Sequence, residues 1–201
     1  RWTGHHPGIQ EDTVLDGLSG AQIRAVEIRD VWKLSRITAW PADLRVLTIH
    51  NAPALQLPPL PADLTGLHLA ATRPIPFAQL PASLTRLTLL ALSLPDLSGL
   101  PALPALEELH ITRGSAEDLH WLPPKVTALT LAQQVQLRSL SGIGRAAGLT
   151  RLNLQRCSGL TDLSPLAGLA ALSEIDLRGC TGLTDLSLLQ QLPALRRIVS
   201  D

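Results

Sequence analysis

The chain has 201 residues, of which 45% are hydrophobic and 2% aromatic, and its 17 basic and 17 acidic residues balance to a net charge of zero. A surface that binds nucleic acid normally has an excess of basic residues and aromatic rings that stack on the bases. This chain has neither, so we expect no nucleic-acid partner. No apolar run approaches the ~20 residues needed to cross a bilayer, so we also expect no membrane insertion.

The first twenty residues differ from the rest of the chain. Residues 9–19 read as a short helix that ends near Gly20. A stack of similar coils exposes its apolar core at each end, so a covering element is expected there. We therefore predict an N-terminal helical cap over residues 1–20 and a repeat domain over residues 21–201.

A six-residue pattern, Leu-x-x-Leu-x-Leu, recurs along nearly the whole repeat region. Its copies begin at Ile23, Leu44, Leu64, Leu84, Leu106, Val126, Leu149, Leu172 and Leu195. The step from one copy to the next is nearly constant, and a fixed period of this size is the signature of leucine-rich repeats. Such repeats stack as coils around one shared core. We predict an α/β leucine-rich-repeat solenoid, a right-handed superhelix with a concave parallel β-sheet, of about nine repeats with the last one truncated.

The repeats are of two kinds. In roughly residues 40–125 each strand follows a proline phrase such as Leu60-Pro-Ala-Asp-Leu64, and proline fixes an extended backbone. Coils this short leave no room for a helix, so extended segments or single 3-10 turns are expected on the convex side in the middle. In the longer last repeats, Ser164 followed by Pro165 indicates a helix N-cap with proline at the first helical position. Short helices are therefore expected toward the C-terminus.

Two cysteines, Cys157 and Cys180, lie one repeat apart and so occupy the same position in successive coils. A side chain at this position turns inward and satisfies backbone groups at the bend, so buried reduced thiols are the main expectation. A disulfide between the two is the alternative, because adjacent strands lie ~4.8 Å apart. The missing cysteine-stapled caps and Asn-x-Ser/Thr acceptors favour a reducing compartment.

Side chains alternate along a strand, so the leucines point inward and the residues between and after them face outward on the concave side. The middle coils present small or mildly apolar residues there, namely Val46, Gly66, Ala70, Leu90, Ala128 and Ala132. The later coils present polar residues rich in arginine, which is common in interface hot spots. We predict a protein partner bound on the concave face by Thr48, His50, His68, Arg86, Thr88, Glu108, His110, Arg151, Asn153, Gln155, Arg156, Glu174, Asp176, Arg178 and Arg197. A solvated face held by cross-strand ion pairs is the alternative.

The histidines give the only hint of metal or acid–base chemistry. His68 and His110 lie two strands apart, so their backbones are ~10 Å from each other, too far to share a zinc ion whose ligand nitrogens lie ~2 Å from it. We therefore predict surface histidines, no metal site and no cofactor. The sequence contains no phosphate-cradling glycine loop, zinc-protease signature or nucleophile elbow, so we expect this chain not to be an enzyme.

The short unit Leu-Pro-x-x-Leu-x-x-Leu-x-Leu resembles the repeats of the Yop and Ipa groups of bacterial type III effectors. The mixture with longer cysteine-containing repeats, as in Leu177-Arg-Gly-Cys180-Thr-Gly, resembles the Xanthomonas outer-protein effectors. In that group a C-terminal ubiquitin-ligase domain follows the repeats, which engage host targets. The resemblance covers residues 21–201 and implies secretion by a type III system into the host cytoplasm. Neither Cys157 nor Cys180 matches the Cys-x-Asp nucleophile motif of the Ipa-type ligases, so no catalytic residue is carried over.

Three functional hypotheses follow. The first is a protein-recognition module of a bacterial effector that acts in host cells, with a ligase domain outside this chain. The second is the recognition domain of a secreted or cell-surface adhesin or receptor. The third, an enzyme with a concave-face site, is disfavoured because no acid–base or nucleophile constellation is present. The oligomeric state is open.

Overall fold

The computed structural model describes residues 2–4, 14–15, 22–73, 75–90 and 97–201. Within these residues, ten strands form one parallel sheet in chain order, and two more strands pair separately. The sheet consists of β1 (Trp2–Gly4), β3 (Ala25–Arg29), β5 (Val46–Ala52), β6 (Gly66–Thr72), β7 (Arg86–Leu90), β8 (Glu108–Thr112), β9 (Ala128–Ala132), β10 (Arg151–Asn153), β11 (Glu174–Asp176) and β12 (Arg197–Val199), and the separate pair is β2 (Val14–Leu15) with β4 (Arg36–Ile37). The predicted leucine-rich-repeat solenoid with a parallel sheet is confirmed.

The N-terminal residues extend the sheet. β1 pairs in parallel with β3, which places a strand against the open edge of the first repeat and satisfies its backbone groups. Within the helix predicted over residues 9–19, the two described residues instead form the strand β2, which pairs with β4. The rest of that prediction, and most of the cap predicted over residues 1–20, lies outside the described residues.

The three leucine positions of each coil form one continuous core. Leu44, Leu47 and Ile49 are all 0% exposed, and the corresponding residues of the following coils as far as Leu177 are buried in the same way. Each coil is covered by the coils on both sides, so its apolar side chains leave water along the whole stack. The last coil has one described neighbour, and Ile198 at its second leucine position is 48% exposed.

A row of hydroxyl groups joins the coils where the strands begin. The Thr127 carbonyl accepts hydrogen bonds from the Thr150 hydroxyl at 2.9 Å, the Thr150 N–H at 2.8 Å and the Arg151 N–H at 3.2 Å. The same side-chain bond occurs in five coils, with Thr65, Thr85, Thr127, Thr150 and Ser173 as donors. This row was not predicted, although a Thr or Ser directly after the first leucine of each of these repeats is its signal in the sequence.

In most coils the residue two positions after the third leucine has a left-handed backbone conformation. The residues with φ between 50° and 72° at this position are Asp30, Asn51, Ala71, Arg113, Gln133, Arg156 and Gly179. Their N–H groups link successive coils: Gln133 donates to the Gln155 carbonyl at 2.8 Å and Arg156 to the Arg178 carbonyl at 2.7 Å. The bond compensates a conformation that is uncommon for residues other than glycine.

The convex side carries short 3-10 helices and extended segments. The helices are Phe77–Gln79, Leu100–Ala102, Ile143–Arg145, Ser164–Gly168 and Ser187–Gln191. The short helices predicted near the C-terminus are thus of the 3-10 type, since even the longer coils have room for little more. Ser164 is the first residue of its helix, and Leu163, not Ser164, is the N-cap. The Asp162 carboxylate accepts the Ser164 N–H at 2.8 Å and the Ser164 hydroxyl at 2.6 Å. None of the helices described is long and apolar enough to cross a bilayer.

Candidate functional site

The strand register aligns the predicted contact residues in columns across the concave face. One column, at the first position of the strands, contains Arg86, Glu108, Ala128, Arg151, Glu174 and Arg197. The next column, two residues further along, contains Thr48, His68, Thr88, His110, Thr130, Asn153, Asp176 and Val199. The pairing has no break from β5 to β12, so residues chosen from spacing alone do share one face.

A cavity of about 460 Å³ runs over the concave face from β7 to β12. It is lined by ten of the predicted residues, namely Arg86, Thr88, Glu108, His110, Arg151, Asn153, Glu174, Asp176, Arg178 and Arg197. Thr48, His50 and His68 lie outside it on β5 and β6, and Gln155 and Arg156 follow β10 without lining it. A role of these residues in binding stays a prediction.

Two cavity residues, Asp176 at the end of β11 and Arg178 just after it, form an ion pair. The Arg178 guanidinium donates hydrogen bonds to both carboxylate oxygens of Asp176, the shortest at 2.5 Å. This side-chain hydrogen bond holds the pKa of the Asp176 carboxyl below its usual value. Both charges are therefore neutralised within the chain and are poor candidates for a partner's ion pair.

Asn153 and Asp176 also have a local structural role. The Asn153 Oδ1 accepts the Gln155 N–H at 2.9 Å, and the Asp176 Oδ1 accepts the Arg178 N–H at 3.1 Å. A side-chain oxygen that accepts the N–H two residues on closes an Asx turn. In each residue this oxygen therefore stabilises the turn that follows the strand.

The unengaged charges of the cavity are Arg86, Glu174 and Arg197. No side-chain hydrogen bond or ion pair joins any of the three to another residue in the described part of the chain. Arg151 and Glu108 are only loosely paired at 3.7 Å, with their side chains reaching over the small Ala128 between them. Since Arg151, Glu174 and Arg197 are all exposed, their charges are available to a partner.

The concave histidines do not form a metal site. The rings of His50 and His68 contact each other with centroids 4.5 Å apart, and the His68 Nε2 is buried with no hydrogen-bond partner. Burial, followed by the nearby charge of His50, lowers the pKa of His68 from 6.5 to about 4. Burial likewise lowers the pKa of His50 and of His110. Among the described residues, no three His, Cys, Asp or Glu side chains are grouped to hold a metal ion.

Inside the coils, behind the sheet, three polar side chains form a ladder. The thiols of Cys157 and Cys180 donate to the carbonyls of Leu131 at 2.9 Å and Leu154 at 3.0 Å. Both cysteines are free and buried, as expected, and burial raises the pKa of Cys157 to about 12. Gln134 occupies the same position one coil earlier, where it is 0% exposed and its amide reaches a backbone carbonyl at 3.4 Å. The sequence pattern identified only the two cysteines at this position, so the place of Gln134 in the ladder was not predicted.

No family model matches the sequence, and no curated protein matches it either. Solved structures do resemble the fold. The functional domain of internalin InlJ from Listeria monocytogenes, which includes a cysteine ladder, shares 18% identity over 94% of this chain with a TM-score of 0.68. Internalin InlF from the same organism shares 22% identity over 69% of this chain with a TM-score of 0.55.

A third similar structure is the leucine-rich-repeat domain of the type III effector XopL. It shares 27% identity over 82% of this chain, with a TM-score of 0.50. The chain spans 42% of each internalin structure and 57% of the effector domain, so it corresponds to part of each. The chain is therefore a leucine-rich-repeat solenoid, the fold that it has in common with all three.

Proposed function

We propose that this chain is a protein-recognition module that binds a partner protein on its concave face. The observation that carries the proposal is the cavity of about 460 Å³ across six strands, lined by side chains whose charges the chain does not fully neutralise. Charged and polar residues on a rigid sheet give such a face specificity for one partner. No catalytic role is proposed for this chain.

The effector hypothesis adds a cellular setting to this proposal. In it, a type III system secretes the protein into the host cytoplasm, the module binds a host protein, and a ubiquitin-ligase domain lies outside this chain. Support comes from the likeness to the XopL repeat domain, which has the highest identity of the three structures compared. The free thiols of Cys157 and Cys180 suit a reducing compartment.

The alternative is the recognition domain of a secreted or cell-surface adhesin. The observation that favours it is the buried ladder of Gln134, Cys157 and Cys180, since the InlJ domain is also described as having a cysteine ladder. At 18% identity the likeness to InlJ concerns the fold alone. The class of host protein that binds separates the two hypotheses.

The test is affinity capture from two host fractions, a cytosolic extract and a surface-protein extract, read by quantitative mass spectrometry. The test variant changes Arg151, Glu174 and Arg197 to Ala together, and removes two positive charges and one negative from the cavity. The control variant changes Lys125, Glu117 and Arg138 to Ala, which removes the same charges from exposed positions outside the cavity.

We expect a cytosolic protein to be captured by the wild-type chain and the control variant, and to be depleted about tenfold or more with the cavity variant. Equal capture by both variants would contradict the concave-face proposal. Capture from the surface fraction alone would replace the effector hypothesis with the adhesin hypothesis.

A further inference from the structure

Small side chains on β9 form a low point in the concave cavity. Ala128 and Thr130 line the cavity and are both partly exposed. Their register partners on the two neighbouring strands are larger, and these also line the cavity, so β9 is the floor of a hollow between two walls. We call this hollow the β9 site, and it consists of Ala128 and Thr130 on the floor, Glu108 and His110 on β8, and Arg151 and Asn153 on β10.

The ion pair that reaches across this site is weak. The Arg151 Nη2 and the Glu108 Oε1 are 3.7 Å apart, which is longer than a hydrogen bond. The two side chains are 58% and 52% exposed, so water screens their attraction. Arg178, by contrast, donates hydrogen bonds to both carboxylate oxygens of Asp176. Glu108 therefore holds Arg151 loosely, and a better placed carboxylate can displace it.

Asn153 adds a second donor to the site. Its Oδ1 accepts the Gln155 N–H, and no hydrogen bond joins its Nδ2 to another residue that the structure describes. One coil later the same position holds Asp176, which has only acceptor oxygens and is paired with Arg178. The terminal coils thus differ here, because β10 presents a free N–H donor where β11 presents a neutralised acid.

Thr130 completes a set of three donors. It is the register partner of Asn153, ~4.8 Å away, and Arg151 precedes Asn153 by two residues, ~6.6 Å along the same face of β10. The Thr130 hydroxyl forms no hydrogen bond with the described residues. A carboxylate only accepts hydrogen bonds, so it can be bound by a guanidinium, an amide N–H and a hydroxyl together. A basic side chain would instead meet the positive charge of Arg151.

We propose that the β9 site receives an Asp or Glu side chain of the partner protein, whose carboxylate displaces Glu108 from Arg151. The Asn153 amide and the Thr130 hydroxyl donate to the same carboxylate. The inference rests on the concave-face function proposed above and specifies the chemistry of the partner. Glu108 is then a competitor for Arg151, so removing its charge should strengthen binding.

The probe is a library of random dodecapeptides displayed on phage and selected on the immobilised chain. Enriched peptides are synthesised, and their affinities are measured by fluorescence polarisation. We expect Asp or Glu at a recurring position, and replacing that residue by its amide should weaken binding about tenfold or more. Arg151→Gln should weaken the acidic peptide to a similar extent, and should have little effect on the amide peptide, because both changes remove one contact. Arg138→Gln, an exposed arginine outside the cavity, is the control.

Asn153→Asp tests the donor without removing the turn. Aspartate keeps an oxygen that can accept the Gln155 N–H, as Asp176 accepts the N–H two residues on in the next coil. The variant should therefore keep the melting temperature of the wild type. It should weaken the acidic peptide about tenfold or more, because a donor is replaced by a like charge.

Glu108→Gln tests the competition, and here the expected effect has the opposite sign. The acidic peptide should bind about threefold more tightly or better, because Arg151 loses its loosely held partner. Glu117→Gln removes an exposed carboxylate outside the cavity and should leave the affinity unchanged.

Enriched peptides without an acidic residue, no enrichment at all, or unchanged binding by Arg151→Gln or Asn153→Asp would overturn the inference. Weaker binding by Glu108→Gln would also contradict it, since that carboxylate would then bind a cation of the partner. The captured host protein separates this failure from failure of the proposed function. If the Arg151, Glu174 and Arg197 variant loses that protein while Asn153→Asp and Glu108→Gln bind it like the wild type, concave-face recognition stands without the β9 site. If all three retain it unchanged, both proposals fail.

Discussion

The middle coils, residues 44–140, and the terminal coils, residues 149–201, end their strands in different ways. In the middle coils β8 and β9 each run for five residues, with His110 and Thr130 at their centres. In the terminal coils, Asn153 and Asp176 stand at that central position, and β10 and β11 stop there after three residues. The side-chain oxygens of these two residues accept the N–H two positions on and close a turn, so in these two coils a single residue ends the strand.

The interior of the two regions differs as well, while their stacking is the same. Gln134 stands beside Gly114 at the end of the middle coils, whereas cysteines take the ladder position in the terminal coils. The hydroxyl row of Thr and Ser residues continues through both regions. Hydrogen bonding between coils is therefore common to both regions, while the residues that end the strands and fill the interior differ.

The largest expected effect tests whether the two regions fold as one unit. Leu47→Ala in the middle coils and Leu152→Ala in the terminal coils each remove a core side chain that is no more than 2% exposed. Each should lower the free energy of unfolding by about 2–5 kcal/mol and shift the same single transition, because neighbouring coils share their core. Calorimetry and urea unfolding followed by circular dichroism measure this. Two transitions, each moved by only one variant, would show independent regions.

A second prediction concerns the close stacking of the terminal coils. A Cβ at Gly159 would lie 2.8 Å from the Val135 carbonyl oxygen and 3.2 Å from that of Leu137, and backbone cannot yield as a side chain can. Gly159→Ala should therefore destabilise the chain by about 1–3 kcal/mol in urea unfolding. Gly168→Ala, with open space around it, is the control and should be neutral or slightly stabilising. Equal effects of the two variants would argue against close stacking.

A third prediction concerns the buried ladder. Replacing Gln134 by cysteine gives the last middle coil the residue type that the terminal coils have at this position. A Cβ at Gly114 would meet the Gln134 Oε1 at 2.7 Å, and that side chain is fully buried. Gly114→Ala alone should destabilise the chain. It should be tolerated together with Gln134→Cys, because the shorter cysteine side chain vacates the space that the Gln134 amide occupies next to Gly114. The coupling free energy from the four-protein cycle should be about 1 kcal/mol. Strict additivity of the two changes would mean that Gly114 and Gln134 are independent.

A fourth prediction tests the Asx turn that ends β10. Asn153→Ala removes the oxygen that accepts the Gln155 N–H and should lower the free energy of unfolding by about 0.5–1.5 kcal/mol. Thr130→Ala at the equivalent position of β9 is the control, and its effect should stay within about 0.5 kcal/mol. If both changes cost the same, the difference in strand length has another cause.

The spacing of the leucines was enough to predict which residues are buried, which face outward and which strands are neighbours. The buried thiols of Cys157 and Cys180 followed from the same period. The pairing of Asp176 with Arg178 did not, because a repeat period places side chains on a face but does not determine their rotamers. The strand β2 was missed because its partner β4 is distant in the sequence, and that contact outweighs local helix preference.

The smallest predicted effect is a difference between the two regions in how their folding stability depends on pH. In the middle coils the pKa of His68 is about 4 when folded and 6.5 when exposed. The unfolded chain therefore binds more protons than the folded chain between these values, so stability is full above pH 6.5 and falls as the pH drops toward 4. In the terminal coils, hydrogen bonds from Ser164 and Arg178 lower the pKa of Asp162 and Asp176 below 3.8, so their stabilisation is lost only at more acidic pH.

Urea unfolding at pH 7.5, 5.5 and 4.5 measures this difference. The free energy of unfolding should decrease over this range, and His68→Gln should reduce the decrease because glutamine takes up no proton. The control is His120→Gln, which removes an exposed histidine beside Asp118 and away from the concave face. A decrease that His68→Gln leaves unchanged would assign the effect to other groups. His50 and His110 would be the next residues to change, because burial lowers the pKa of both in the same direction.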